Sequence, residues 1–484
     1  MSQTRVVIMG AAGRDFHDFN TVFRGDERFT VVAFTHTSVQ NLGELEEPPV
    51  RRYPASLAGP GFPDGIPIYP ASALERIVDD HAVDTVVFSY SDVSHEHVMH
   101  QASRVLATGA DVRLIGPNRM MLSATVPVVA VDAVRTGCGK SQTARRLADL
   151  LRDRGATVAV VREPMAYGDL AAQRVQRFAS MADLDDHGVT IEEREEYEGH
   201  IERGHVVYAG IDYEAILARA QEEASLIVWD GGNNELPFYA PDVHIVLVDP
   251  LRPGSERTYH PGETNLRLAD WVLINKENSA DPAAIRDVEA AVRETNPDAG
   301  IIHANSVITA DASAIAGKRV LVVEDGPTVT HGDAPSGAGL IAAHMYGAEA
   351  IVDPRPAAVG SIRRVFEAYD HLDAVLPAMG YSDAQIRDLA ATIRNADPDV
   401  VVAATPHDLA RVVDVSVPIV RVRYELEMID GTLDAVLDRH AAALNLWGWS
   451  PRPRQTATFD THLTFPPERT NTTGTSTGCP LGFP

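Results

Sequence analysis

The sequence predicts an α/β protein of three units, with a central P-loop NTPase parallel sheet flanked by Rossmann-like domains. Three observations predict it. Short apolar, β-branched runs alternate with helical segments along nearly the whole chain, the pattern of parallel sheets covered by helices. The stretch 127–143, PVVAVDAVRTGCGKSQT, places a buried strand, a glycine loop and a helix in the order a phosphate-binding loop requires. The 484 residues suffice for about three domains of ordinary size.

The first unit, residues 1–124, opens with the strand 5–9 (RVVIM), which runs into Gly10-Ala11-Ala12-Gly13-Arg14-Asp15, and a second strand follows at 30–34. This is the outline of a Rossmann-like unit, but the full G-x-G-x-x-G is missing, so the turn reads as structural ahead of dinucleotide binding. The Pro- and Gly-rich stretch 54–70 reads mostly as loop, with 66–69 along the sheet edge. Residues 74–80 read as helix, 85–88 as strand and 110–116 as the last strand. His95, His97 and His100 have no i, i+4 pair and read as a solvated helix start rather than a metal site.

The second unit, 125–314, carries the chemistry. Residues 128–131 form the strand, and the loop is Val134-Arg135-Thr136-Gly137-Cys138-Gly139-Lys140-Ser141-Gln142. Glycines let several backbone N–H groups turn onto one anion, and the helix start adds its positive end. Lys140 reaches the terminal phosphates, and the Ser141 hydroxyl can ligate magnesium. Val134 stands where the usual pattern has its first glycine, as in the variant loop with late glycines and a basic second residue, here Arg135. The next strand, 158–161, ends at Arg162, with Asp169 further on; these are candidates to meet the transferred phosphate or its magnesium, a surface salt bridge being the alternative. Residues 191–200 (IEEREEYEGH) read as a helix with a solvated acidic face. Strand 226–229 ends at Asp230-Gly231-Gly232. A carboxylate there is placed for the magnesium held by Ser141, and the two glycines let the backbone approach the γ-phosphate. Strand 271–274 delivers Asn275-Lys276-Glu277-Asn278, similar to the N-K-x-D base-reading motif of GTPases. Asn278 replaces its Asp, which removes the charge-assisted pair to guanine and leaves adenine open beside it.

The third unit, 315–448, starts with strand 320–323. Small residues at 336–339 open a helix that can receive an anion, and His331 could move a proton. Strand 400–404 continues the alternation, and the last strand carries Arg421, Arg423 and Tyr424. From 449 to 484 the composition turns to Pro, Thr, Arg and Gly without periodicity and reads as a disordered tail.

Acidic residues number 68 against 42 basic ones, a formal charge of −26, which argues against nucleic acid as a partner. Only Lys140, Lys276 and Lys318 are lysines. Such a composition suggests a halophilic archaeal cytoplasm rich in potassium, with a GC-rich genome as the plainer account. Two far-apart cysteines, Cys138 and Cys479, imply no disulfide framework. No long apolar run or leader is present, so the expectation is a cytoplasmic protein without a membrane partner.

With these stretches in view, the chain resembles a mainly archaeal family of predicted GTPases and relatives of cyclic 2,3-diphosphoglycerate synthetase. The stretches that carry the likeness are GAAGRDFHDFN from Gly10, FSYSDVSHEHVMH from Phe88, VRTGCGKSQT from Val134, WDGGNN from Trp229, VDPLRPG from Val248, INKEN from Ile274 and VEDGPTVTHG from Val323. The resemblance implies a central domain like those of dethiobiotin synthetase and partition ATPases. It implies ATP or GTP with magnesium, potassium as a further cation, and a small anionic phosphorylated substrate closed into an anhydride, with GTP hydrolysis as the alternative activity. Lys140, Arg135, Arg162 and Asp230 would then be catalytic. Thr136, Gly137, Cys138, Gly139, Lys140, Ser141, Gln142, Gly231, Gly232, Asn275 and Lys276 would hold the nucleotide, and Ser141, Asp230 and Asp169 the metal. Arg252, Arg355, Arg421 and Arg423 would converge on the substrate. A homo-oligomer is expected.

Overall fold

In the computed structural model, the described residues are 3–37, 51–163, 168–232, 235–330, 335–378, 383–405 and 408–446. The expected tail lies outside them, as does His331. Contacts divide the chain into Met1–Trp447 and Gly448–Pro484, and the elements below belong to the first. Among the described residues no helix is long and apolar enough to cross a membrane.

Three sheets carry the α/β architecture, and two of them add antiparallel strands at their edges. The central sheet has nine strands in the spatial order Val175–Phe178, Val206–Gly210, Val158–Arg162, Leu226–Asp230, Val128–Ala133, Val243–Val248, Trp271–Ile274, Gly300–Thr309 and Arg423–Asp430. The inner seven run parallel and the two edge strands antiparallel. Every residue of Val128–Ala133 is buried, as a β-branched run covered on both faces must be. Val129 and Val131 enter one core and Val128 and Ala130 the other, the period-two alternation of a strand. Later strands lie on both sides of Val128–Ala133, so the order reverses there. Ligands of open α/β sheets bind at the carboxyl ends of strands beside such a point.

The first sheet orders Arg51–Tyr53, Ile66–Pro70, Phe29–His36, Thr4–Met9, Thr85–Phe88 and Asp111–Arg113. It is parallel except for Arg51–Tyr53. Ile66–Pro70 is thus inside the sheet, not on its edge as the sequence suggests, because the short antiparallel strand covers it. Val6, Ile8, Phe16 and Phe34 share one core with Val128, Ala130 and Trp229, so the first unit sits directly on one face of the central sheet. His17 stacks on Phe238 across this contact, with ring centroids 4.0 Å apart. A two-stranded antiparallel pair, Val93–Ser94 with Tyr259–His260, ties the units together again beside the phosphate loop.

The third sheet is parallel, with Ala350–Ile351, Arg319–Asp325, Val400–Ala404 and Ile419–Arg421, and Leu376–Ala378 pairs further along Arg319–Asp325. The single last strand expected around 421–424 is two strands. Val422 is buried and donates its N–H to the Ala403 carbonyl at 2.8 Å, and beyond it the chain leaves for the central sheet. Arg423–Asp430 closes that sheet's edge, and Leu433, Val436 and Leu437 of the following helix fill its core.

Candidate functional site

The loop after Val128–Ala133 turns on two left-handed glycines, Gly137 at φ +85° and Gly139 at φ +103°. Gly139 precedes the helix Lys140–Asp153. A Cβ on Gly139 would come within 2.2 Å of Asn275 Nδ2 and 2.6 Å of Gln142 Nε2, so glycine is required there on two counts. Asn275, fully buried at the end of Trp271–Ile274, donates to the Cys138 carbonyl at 2.8 Å and braces the loop from below. Arg252 donates to the Thr136 carbonyl at 2.7 Å, and Asp249 gathers Arg252 at 3.3 Å and Lys276 at 2.9 Å. Gln142 donates to the Ser306 hydroxyl at 3.3 Å.

Lys140 and Asp230 meet where their strand ends adjoin. The buried Lys140 ammonium lies 3.0 Å from Asp230 Oδ1 and donates to the Gly231 carbonyl. Arg162, also buried, lies 2.7 Å from Asp230 Oδ1 and pairs with Glu196. His200 Nε2 lies 3.0 Å from Asp230 Oδ2. Burial alone would raise the Asp230 pKa. The charges of Arg162 and Lys140, with the bond from His200, overcome it and hold the carboxyl well below the usual range. Burial and then the charge of Arg162 push the Lys140 ammonium down, against the pull of Asp230. Burial likewise lowers the His200 pKa.

His200 is a residue the sequence reading missed. The acidic run was expected to form a solvated face, but in the helix Ile191–Ile201 Glu193, Tyr197, Glu198 and His200 are buried. His205 extends the contact inward, with Nε2 3.1 Å from Asp149 Oδ1. A tyrosine and a histidine three apart, on one face within the charged run, were the available signal.

The first unit reaches the loop through the turn after Thr85–Phe88. Asp92, at φ +53°, accepts the Thr136 N–H at 3.1 Å and lies 3.5 Å from Arg135 Nε, while the Arg135 guanidinium stacks over Tyr259 at 3.8 Å. Arg135 and Thr136 are therefore engaged across the unit contact. The Gly10–Asp15 turn holds no room for a dinucleotide phosphate. The Asp15 carboxylate itself accepts the N–H groups of Ala12 at 3.0 Å and Phe16 at 2.8 Å, and burial raises its pKa to about 7. The third unit repeats the device. Glu324 accepts from Gly337, Gly339 and Leu340 at 2.9–3.2 Å, with its pKa raised by burial to about 7. The anion seat expected at 336–339 is filled by the protein's own carboxylate.

Other expected residues are placed apart. Asp169 turns back to accept from Ala171 at 2.9 Å, and no hydrogen bond or ion pair among the described residues joins it to Ser141 or Asp230. Asn278 exchanges two 3.1 Å bonds with the Ser306 backbone, so its amide is committed there rather than to a base. Of the arginines expected to converge, Arg252 touches the loop, whereas Arg355 pairs with Asp353 and Arg421 with Glu202. His95 and His100 pair with Glu263 and Glu96, and no group of three or more His, Cys, Asp and Glu among the described residues is arranged to hold a metal.

No family model matches the chain. The arginine synthetase ArcE of Thermococcus kodakarensis is 55% identical over 426 residues, covering 88% of this chain and 94% of that protein. The chain belongs to the arginine synthetase ArcE family. It is an enzyme of the synthetase class. This overturns the sequence-based resemblance: neither cyclic 2,3-diphosphoglycerate synthesis nor a GTPase switch is the family's activity as its member is named. The motifs around Lys140 and Asp230 describe a glycine loop between strand and helix and a strand-end carboxylate, and those say nothing of the acceptor. Among solved structures, LpxK from Aquifex aeolicus in complex with ATP is similar with a TM-score of 0.38 at 13% identity, covering 72% of this chain and 94% of that one. A plasmid partition protein from Borrelia burgdorferi scores 0.18 at 12% identity, covering 56% and 96%. Neither of these likenesses bears on the activity.

Proposed function

We propose that this enzyme forms arginine at the expense of ATP. The observation that carries the reading is the 55% identity, over 88% of the chain, to a protein named arginine synthetase. The phosphate loop supports the energy source. Gly137 and Gly139 turn the loop through left-handed conformations, and the helix that carries Lys140 starts directly after it.

Chemistry narrows the use of ATP. The guanidinium carbon of arginine is at the oxidation level of a urea, so a ureido oxygen is the group to be replaced. That oxygen attacks the terminal phosphorus and ADP leaves. A nitrogen nucleophile then adds at carbon, phosphate leaves, and the proton shed by the nitrogen goes to solvent. In this reading Lys140 exchanges Asp230 for the moving phosphoryl group, Arg162 remains beside Asp230 as a second positive charge, and Gly231 and Gly232 bring the backbone to the terminal phosphate. Asn275 holds the loop and Lys276 holds Asp249, positioning rather than touching the nucleotide. Ser141, in the first helical turn, would ligate magnesium, whereas the carboxylates of Asp230 and Asp169 are already bonded, so phosphate and water oxygens would complete the shell. Magnesium, when bound, spreads the phosphate charge.

The test is to supply purified protein with magnesium, ATP and citrulline, with ammonium as nitrogen source, and to quantify amino acids, ADP and phosphate. Arginine, ADP and phosphate are expected in equal amounts. ADP release indifferent to citrulline, with no arginine formed, refutes the reading.

A further inference from the structure

Beside the phosphate loop lies a group of buried acids that phosphoryl transfer alone does not use. Glu163 follows Arg162 at the end of its strand, and Glu235 follows the Gly231-Gly232 turn; both are buried. Glu163 lies between two glycines from different units. A Cβ on Gly13 would overlap Glu163 Oε1, and one on Gly232 would sit 2.2 Å from Glu163 Oε2. Around Gly231, a Cβ would meet Trp229 Nε1 at 2.6 Å, Asp132 Oδ1 at 2.8 Å and Glu235 Oε1 at 3.1 Å. The indole N–H of Trp229, Asp132 Oδ1 and Glu235 Oε2 are buried and have no hydrogen-bond partner among the described residues. Unpaired buried polar atoms each cost about 1–3 kcal/mol, so a converging set of them marks a place where a ligand completes the bonding.

We propose that Glu163 and Glu235 form the seat for the guanidinium end of arginine, beside Lys140 and the Gly231 carbonyl. This rests on the arginine-forming reading above. A planar guanidinium offers donors in a fork that suits two carboxylates, and a seat within a few residues of Asp230 puts its carbon next to the transferred phosphoryl group. The nearby cations do not already fill the role, because Arg162 is paired with Asp230 and Glu196 and Lys140 serves Asp230 and the phosphoryl group. Trp229 supplies a donor for an oxygen, as a ureido group would present.

The two carboxyls lack a full complement of positive charge. Burial, then Glu235 and Asp15, raise the Glu163 pKa well above the usual range despite Arg162. Burial and Asp132 raise that of Glu235 despite Lys140. The raised values favour a proton on the pair, and a guanidinium that lets both carboxyls ionise displaces it.

Calorimetric titration of the full chain with L-arginine, in the presence of ADP and magnesium and in two buffers of different ionisation enthalpy, tests this. Wild type is expected to release about one proton per arginine bound. Glu163→Gln and Glu235→Gln are expected to weaken arginine about 10- to 100-fold, while citrulline binding and ADP affinity stay within about threefold. Retained ADP affinity shows that the variants are folded. Wild-type arginine affinity in both variants, or equal losses for arginine and citrulline, overturns the seat and leaves the arginine-forming reading standing. A wild type that neither binds nor makes arginine overturns that reading, and the seat with it.

Discussion

Lys140→Met separates stability from catalysis at the phosphate loop. Breaking a buried ion pair usually costs about 3–5 kcal/mol, because the remaining charge is left uncompensated. Here Asp230 keeps Arg162 at 2.7 Å and His200 at 3.0 Å after the lysine is gone. The removed ammonium was itself disfavoured by burial. Methionine fills the same volume without a desolvation cost, so the net change in stability is expected to be about 1 kcal/mol or less. For a domain of this kind that moves the melting midpoint by no more than about 4 °C. Turnover is expected to fall about 100- to 1,000-fold, the usual loss when one charge-stabilising group is removed from a transition state. Asp230→Asn, by contrast, should be costly to stability. It leaves Lys140 and Arg162 buried together without their carboxylate, for a loss of about 3–5 kcal/mol. Differential scanning calorimetry gives the midpoints and coupled ADP release gives the rates. A Lys140→Met enzyme that keeps more than about a tenth of its turnover, or that melts below Asp230→Asn, refutes the reasoning.

Three further outcomes are expected. Gly139→Ala should abolish nucleotide binding and lower the midpoint by more than Gly155→Ala. Both glycines have positive φ, but a Cβ at Gly155 meets nothing within 4 Å, so only the backbone strain of about 1 kcal/mol applies there; equal losses would show that the contact with Asn275 is not the constraint. Asn275→Ala leaves the Cys138 carbonyl without its buried donor, and the KM for ATP should rise about 5- to 100-fold with kcat little changed; an unchanged KM would remove Asn275 from the loop's support. Burial lowers the His17 pKa from 6.5 to about 3, so the folded state favours the neutral ring. Its stabilising contribution is complete above pH 6.5 and is lost as pH falls toward 3, by about 1.4 kcal/mol per pH unit. His17→Phe keeps the stack on Phe238, and denaturant titrations should show it gaining on wild type by that slope between pH 6 and pH 4; parallel profiles would show that His17 is protonated in the fold.

What the sequence determined by itself is local. The strand, glycine loop and helix around Lys140 are contiguous, so their geometry follows from residues within a few positions of one another, and they stand where expected. Asp230 at the end of Leu226–Asp230 was legible for the same reason, since an apolar run that ends in a carboxylate and glycines defines a strand end. Most helices and parallel strands carried their own periodicity. The tertiary structure decided whatever depends on which face is covered. Charge pattern made the helix Ile191–Ile201 look solvated, yet packing turned Glu193 and His200 inward, and His200 onto Asp230. Asp92 on Thr136, and Glu163 between Gly13 and Gly232, join residues tens of positions apart, and no local signal encodes such pairings. Asp15 and Glu324 fill turns that glycine content alone would assign to phosphate. The antiparallel pairings of Arg51–Tyr53 with Ile66–Pro70 and of Arg423–Asp430 with Gly300–Thr309 were likewise set by available edges. A phosphate loop encodes how a triphosphate is held, because that contact is made by neighbouring backbone groups. The proposed arginine seat is made by side chains far apart in the sequence, Glu163 and Glu235, so no local pattern encodes it.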